Sequence, residues 1–103
     1  MIKHLLASLC LSLISLSAMA ESFWIDVRTP EEFAQGHLSQ ATNIPHQSIV
    51  EQIGKVTTDK NAEIKLYCRS GRRATWAKSD LEAAGYTNIT NEGGYQDVKH
   101  LSE

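Results

Sequence analysis

The stretch Glu63-Ile64-Lys65-Leu66-Tyr67-Cys68-Arg69-Ser70-Gly71-Arg72-Arg73 decides how the rest of the chain is read. Ile64, Leu66 and Cys68 alternate with Glu63, Lys65 and Tyr67, the period of a strand with one face buried. The cysteine takes the last inward position. A tight loop containing Gly71 follows. Ala74, Ala77, Leu81 and Ala84 then recur at helical spacing, with Gly85 as C-cap, and predict a helix from about Ala74.

Working outward, the same alternation of strand and helix returns. Phe23-Trp24-Ile25-Asp26-Val27 is a β-rich run. Thr29 can cap the next helix, Pro30 suits its first position and Glu32 completes a capping box, with an end near Gly36. Ala41-Thr42-Asn43-Ile44 is a second brief strand, stopped by Pro45. Ile49, Val50 and Ile53 form one stripe of a helix ending at Gly54, and Thr57 to Asn61 is a polar loop. Downstream, Asn88-Ile89-Thr90 reads as a short strand, Gly93-Gly94 as a turn and Tyr95 to Leu101 as a weak last helix. This spacing predicts an α/β fold, a small parallel sheet flanked by helices on both faces.

The chain has 103 residues, enough for one small domain and too few for two. Residues 1–20 stand apart. Lys3 supplies a positive start, Leu5 to Leu16 an apolar run, and Ala18-Met19-Ala20 a small-residue cleavage site, the parts of a secretory signal peptide. The expected organisation is a signal at 1–20, cleaved after Ala20, and a domain at 21–103. The apolar run is shorter than the roughly 20 residues that a span needs, so no stable membrane anchor is expected after cleavage. Export would place the mature chain in the periplasm. The mature chain holds 9 basic and 12 acidic residues, a net charge of −3, which argues against a nucleic-acid partner. Cys10 leaves with the signal, and Cys68 alone cannot close an internal disulfide. His37, His46 and His100 are scattered, so no metal site is expected.

Cys68 ends a strand, and in open parallel sheets ligands bind beyond the carboxyl ends of the strands. The first amides of the following helix lack intrahelical partners and can point at an anion. Gly71 lets the loop curl without a Cβ penalty. Arg69, Arg72 and Arg73 add positive charge, a setting that favours the thiolate of Cys68. Cys68 is thus the candidate nucleophile, with Arg69, Ser70, Gly71, Arg72 and Arg73 as the candidate anion-binding loop. His37 and His46 are loop or helix-start residues rather than an evident base. A thiolate without a base suits transfer of a group that leaves as a stable anion, and suits peptide hydrolysis poorly.

Four stretches, in order, resemble the rhodanese-type sulfurtransferases, specifically their small exported single-domain members. They are Trp24-Ile25-Asp26-Val27-Arg28 with Pro30-Glu31-Glu32-Phe33; Gly36-His37-Leu38-Ser39-Gln40-Ala41-Thr42-Asn43-Ile44-Pro45; Tyr67-Cys68-Arg69-Ser70-Gly71-Arg72-Arg73; and Glu92-Gly93-Gly94-Tyr95. The resemblance implies a single rhodanese-like domain with a sheet of five or fewer parallel strands. It implies that Cys68 takes the outer sulfur of thiosulfate as a persulfide, releases sulfite and passes the sulfur to cyanide or another thiophilic acceptor. It implies no cofactor or metal, and a scaffolding role for Asp26 and Arg28. Larger members carry an extra strand and helix before the first of these stretches, so one sheet edge is expected to be barer here. Gln40 stands where many members have glycine.

Two other functions compete. A phosphatase or arsenate reductase on the same fold would carry a longer loop, with arginine at the position of Ala74. A non-catalytic rhodanese-like binding module would typically lack the cysteine, and Cys68 is present.

Overall fold

The computed structural model describes residues 21–103; the expected signal segment at 1–20 lies outside them. Strand β1 (Ser22–Asp26) leads into helix α1 (Pro30–Ala34), then β2 (Ala41–Asn43), α2 (Ile49–Gln52), β3 (Glu63–Cys68), α3 (Arg72–Ala83), β4 (Ile89–Gly94) and α4 (Tyr95–Val98). Short 3-10 turns precede and follow α2, and another extends α4 through Leu101. The four strands are all parallel, in the order β2-β1-β3-β4. The chain steps outward from β1 to β2, then crosses back to β3 and on to β4. The direction therefore reverses between β1 and β3, and the crevice beyond their carboxyl ends is where such sheets bind ligands.

The period-two alternation in β3 is what builds the two-sided core. Ile64, Leu66 and Cys68 join Ile25 and Val27 of the first strand region on one face, covered by Ile49, Ile53, Ala74, Ala77 and Leu81 from α2, the 3-10 turn after it and α3. On the other face Tyr67 packs with Leu38 and Val98, with Trp24, Ala41 and Tyr95 against them. The Leu38 amide donates to the buried Tyr67 hydroxyl at 3.1 Å. Val50, expected on the apolar stripe of the second helix, is 49% exposed. The helix there is a single α-turn that tightens into a 3-10 turn at Ile53, and only Ile49 and Ile53 meet the core.

Two ion pairs fasten the carboxyl end of the sheet. At the end of β1 the fully buried Asp26 carboxylate accepts from Arg28 three times through the guanidinium and once from the Arg28 amide at 2.9 Å. Arg28 Nη2 also donates to the Gly36 carbonyl at 2.7 Å. Burial works against the Arg28 charge; the hydrogen bonds and charge of Asp26 outweigh it and hold the guanidinium above its ordinary range. The second pair joins two helices. Arg73 at the start of α3 forks onto Glu32 of α1, with Nη1 to Oε1 at 2.7 Å and Nη2 to Oε2 at 2.9 Å. The expected capping box orients that carboxylate: Thr29 accepts from the Glu32 amide, and the Thr29 amide donates back to Glu32 Oε1. The Arg73 hydrogen bonds, aided by those of Thr29, pull Glu32 down to about 2 against some opposing burial.

Each pair yields a stability prediction. Asp26→Asn leaves a buried guanidinium without its counter-charge and costs about 3–5 kcal/mol of unfolding free energy, read by urea titration. For Glu32 the folded value lies below its ordinary 4.5. Its stabilisation is therefore fully present above about pH 5 and is lost as pH falls toward about 2. Between pH 7 and pH 3 the urea midpoint of the unaltered protein falls further than that of Glu32→Gln. Equal falls would show that this pair contributes nothing to acid sensitivity.

Candidate active site

The expected nucleophile stands where the alternation puts it, on the last residue of β3. Cys68 is 1% exposed, and among the described residues it is the free cysteine. The chain turns at once through Arg69 and Ser70, both exposed. Gly71 then adopts a left-handed conformation with φ 91° and caps α3. A side chain there would be strained by the backbone alone, which is why the loop carries glycine at this point. The left-handed cap also lets α3 begin at Arg72 rather than at about Ala74. The Gly71 N–H points back and donates to Cys68 Sγ at 2.9 Å. Among the described residues, the amides of Ser70, Arg72 and Arg73 have no backbone acceptor. Unpaired amides at a helix start are groups that an anion can bind.

The three loop arginines have three different surroundings. Arg73, expected to face substrate, has its fork committed to Glu32; those hydrogen bonds raise its value, burial opposes them, and the nearby Cys68 adds to the rise. Arg72 is exposed and lies 5.3 Å from the ring centre of Trp76. Arg69 has no side-chain hydrogen bond or ion pair among the described residues. It lines a cavity of about 320 Å³ together with Arg28, Glu32, Gln35, Gly36, Tyr95 and Gln96. Its walls come from the residues just after β1 and β3, from α1 and the turn after it, and from α4, and Cys68 is not among them. The Arg28 guanidinium in its wall lies 4.8 Å from the Tyr95 ring centre and 5.6 Å from that of Tyr67.

Neither histidine near the sheet end reaches the thiol. His37 Nδ1 bonds the Phe33 carbonyl at 2.7 Å and its ring stacks on Phe33, while His46 leans on Trp76. Among the described residues no group of histidine, cysteine, aspartate or glutamate side chains could hold a metal ion. The arrangement offers a buried thiol with one backbone donor on its sulfur, neighbouring amides without a backbone acceptor, and exposed arginines beside them.

The sequence reading also missed part of the site's frame. The segment read as a Gly93-Gly94 turn is the end of β4, and Gly94 pairs with Cys68. A Cβ on Gly94 would collide with the Arg69 carbonyl oxygen, so this glycine lets β4 lie flush against the loop. Asp97 holds the Gly94 amide at 2.9 Å, and Asn91 bonds the Gly71 carbonyl at 2.8 Å. Paired glycines read as a turn by local rules, and only the tertiary contact with the loop distinguishes the two cases.

Comparison with known proteins agrees with this geometry. The model of the rhodanese-like domain matches residues 12–101. Thiosulfate sulfurtransferase PspE of Escherichia coli (strain K12) is 43% identical over 91 residues, covering 87% of this chain and 88% of that protein. Thiosulfate sulfurtransferase 16, chloroplastic, of Arabidopsis thaliana is 36% identical over 84 residues, covering 70% of this chain and 69% of that one. A solved structure of a rhodanese with anions from E. coli superposes with a TM-score of 0.71 at 43% identity, over 74% of this chain and 89% of its own. With a parallel sheet of this order, a cysteine at the end of its third strand and a family match over most of its length, the chain belongs to the rhodanese-like family of sulfurtransferases.

Proposed function

We propose that the protein is a thiosulfate sulfurtransferase with Cys68 as its nucleophile. The observation that carries this reading is the Gly71 amide on Cys68 Sγ at 2.9 Å, at the head of a helix whose first amides have no backbone acceptor. A donor on sulfur stabilises the thiolate and, after transfer, the inner sulfur of a persulfide. The name of the PspE relative supports thiosulfate as donor.

In the first step the Cys68 thiolate attacks the outer sulfur of thiosulfate. An S–S bond forms between Cys68 Sγ and that outer sulfur, the S–S bond of thiosulfate breaks, and its electron pair leaves with sulfite. The enzyme then carries a persulfide anion. In the second step cyanide, or another thiophilic acceptor, attacks the terminal sulfur and the thiolate returns. Charge balances in both steps and no proton need move, which fits a site with no base on the thiol. The amides of Ser70, Gly71, Arg72 and Arg73 hold the oxyanion. Arg69 supplies the positive side chain at the mouth, Arg72 lies over Trp76, and Arg73 keeps the loop's end in place through Glu32. Asp26 and Arg28 act as scaffold. Export by the segment at 1–20 to the periplasm belongs to the same proposal; among the described residues no helix is long and apolar enough to cross a membrane.

Three measurements test it. Treatment with thiosulfate adds one sulfur to the mass of the protein, and Cys68→Ser takes up none and loses turnover while keeping its fold, because a hydroxyl hardly ionises. An adduct that survives Cys68→Ser would remove this residue from the mechanism. Arg69→Ala lowers kcat/KM for thiosulfate by about 10–100-fold, the scale of a charged hydrogen bond made to the anion. Arg72→Ala changes it by less than about threefold, as befits a solvated surface charge. The reverse order of these two arginines would overturn the assignment of the rim.

A further inference from the structure

Between β3 and β4 the register slips. Leu66 pairs with Asn91, and the next pair is Cys68 with Gly94, so an advance of two residues on β3 is met by three on β4. The extra residue makes a β-bulge, a device that bends a strand and re-aims the residues beyond it. Asn91 stands at its start and uses both ends of its amide. Its Oδ1 accepts from the Gly93 N–H at 2.9 Å, which closes the bulge. Its Nδ2 donates to the Gly71 carbonyl at 2.8 Å and to Thr75 Oγ1 at 3.0 Å.

Gly71 is the residue that needs an external hold. It lacks a Cβ, sits at φ 91° and has more conformational freedom than any other residue type would have there. Its N–H is the one described donor on Cys68 Sγ. Turning this residue by a few tens of degrees would take that N–H off the sulfur, since hydrogen bonds weaken steeply as they bend. The helix bond from the Thr75 amide and the Thr75 hydroxyl also reach the Gly71 carbonyl, both at 3.1 Å, but both come from α3 itself and move with it. Asn91 alone ties the carbonyl to the sheet.

We propose that Asn91 is a positioning residue for the sulfur chemistry: by clamping the Gly71 carbonyl to the β4 bulge, it holds the Gly71 N–H on the Cys68 sulfur. It touches no reacting atom and acts through Gly71. The proposal rests on Cys68 being the reactive thiol, and its test is read without thiosulfate turnover.

The test compares the full chain with Asn91→Ala and Asn91→Asp. Asn91→Asp keeps the shape and the acceptor for Gly93 but removes the donor to Gly71, so it carries the test even where Asn91→Ala folds poorly. Two quantities are measured at pH 7: the rate at which iodoacetamide alkylates Cys68, resolved by peptide mass spectrometry, and the amide proton resonance of Gly71 by NMR. In both variants alkylation slows by about three- to tenfold, the scale of one neutral hydrogen bond. The Gly71 amide proton moves upfield as its bond to sulfur loosens, and the melting temperature stays near that of the parent. Slower alkylation with an unmoved Gly71 resonance would overturn the proposal, as would alkylation at the parent rate in folded Asn91→Asp. A parent protein whose Cys68 takes up no sulfur from thiosulfate would overturn the nucleophile reading and this proposal with it, whereas either of the preceding results overturns this proposal alone.

Discussion

The buried pairing of Asp26 with Arg28 is the constraint on which the carboxyl end of the sheet depends. A charge at this depth is tolerated only when its partner and its hydrogen bonds are all in place. Asp26 receives the guanidinium and the Arg28 amide, and Arg28 passes on to the Gly36 carbonyl and lies against Tyr67 and Tyr95. Asn43 adds its side-chain amide to the carbonyls of Asp26 and Arg28. One ion pair thus joins the end of β1, the turn after α1, the end of β2 and the start of α4.

The loop after Cys68 is held by β4. Gly94 lies flush against the Arg69 carbonyl because it has no side chain, and Asn91 bonds the loop's last carbonyl. Glu32 holds Arg73, in the first turn of α3, from the direction of α1. The loop therefore has little freedom of its own. Backbone donors need such rigidity, because an amide stabilises a developing charge only when it already points there. The consequence for the arginines is a division of labour. One braces, one lies along a helix over an aromatic ring, and one faces the crevice.

Much of this was legible in the sequence for physical reasons that are local. The alternation of Ile64, Leu66 and Cys68 names a strand and its inward face. The Thr29–Glu32 capping box names a helix start and is found as read. Ala74, Ala77 and Leu81 name a helix face and are all buried. What was not legible depends on partners far apart in the chain. Glu32 and Arg73 are separated by 41 residues, and no local pattern announces that they meet. Arg72 and Arg73 carry no apolar periodicity, so the helix start was placed after them. The two glycines of β4 satisfy the local rules for a turn; the loop packed against Gly94 is what requires them in a strand. Asn91 looks like an ordinary polar residue beside such a turn until the slip in register puts it under Gly71.

The near-complete burial of Cys68 has a further consequence for a carrier of sulfur. With 1% of its surface exposed, the thiol is sheltered from bulky reagents. On the proposed cycle, loading extends the side chain by one S–S bond of about 2 Å. The atom that an acceptor meets is then the cargo and not the hook that bears it. On that cycle the empty form would keep its thiol below the surface and the loaded form would present its sulfur, and depth alone would tell the two states apart.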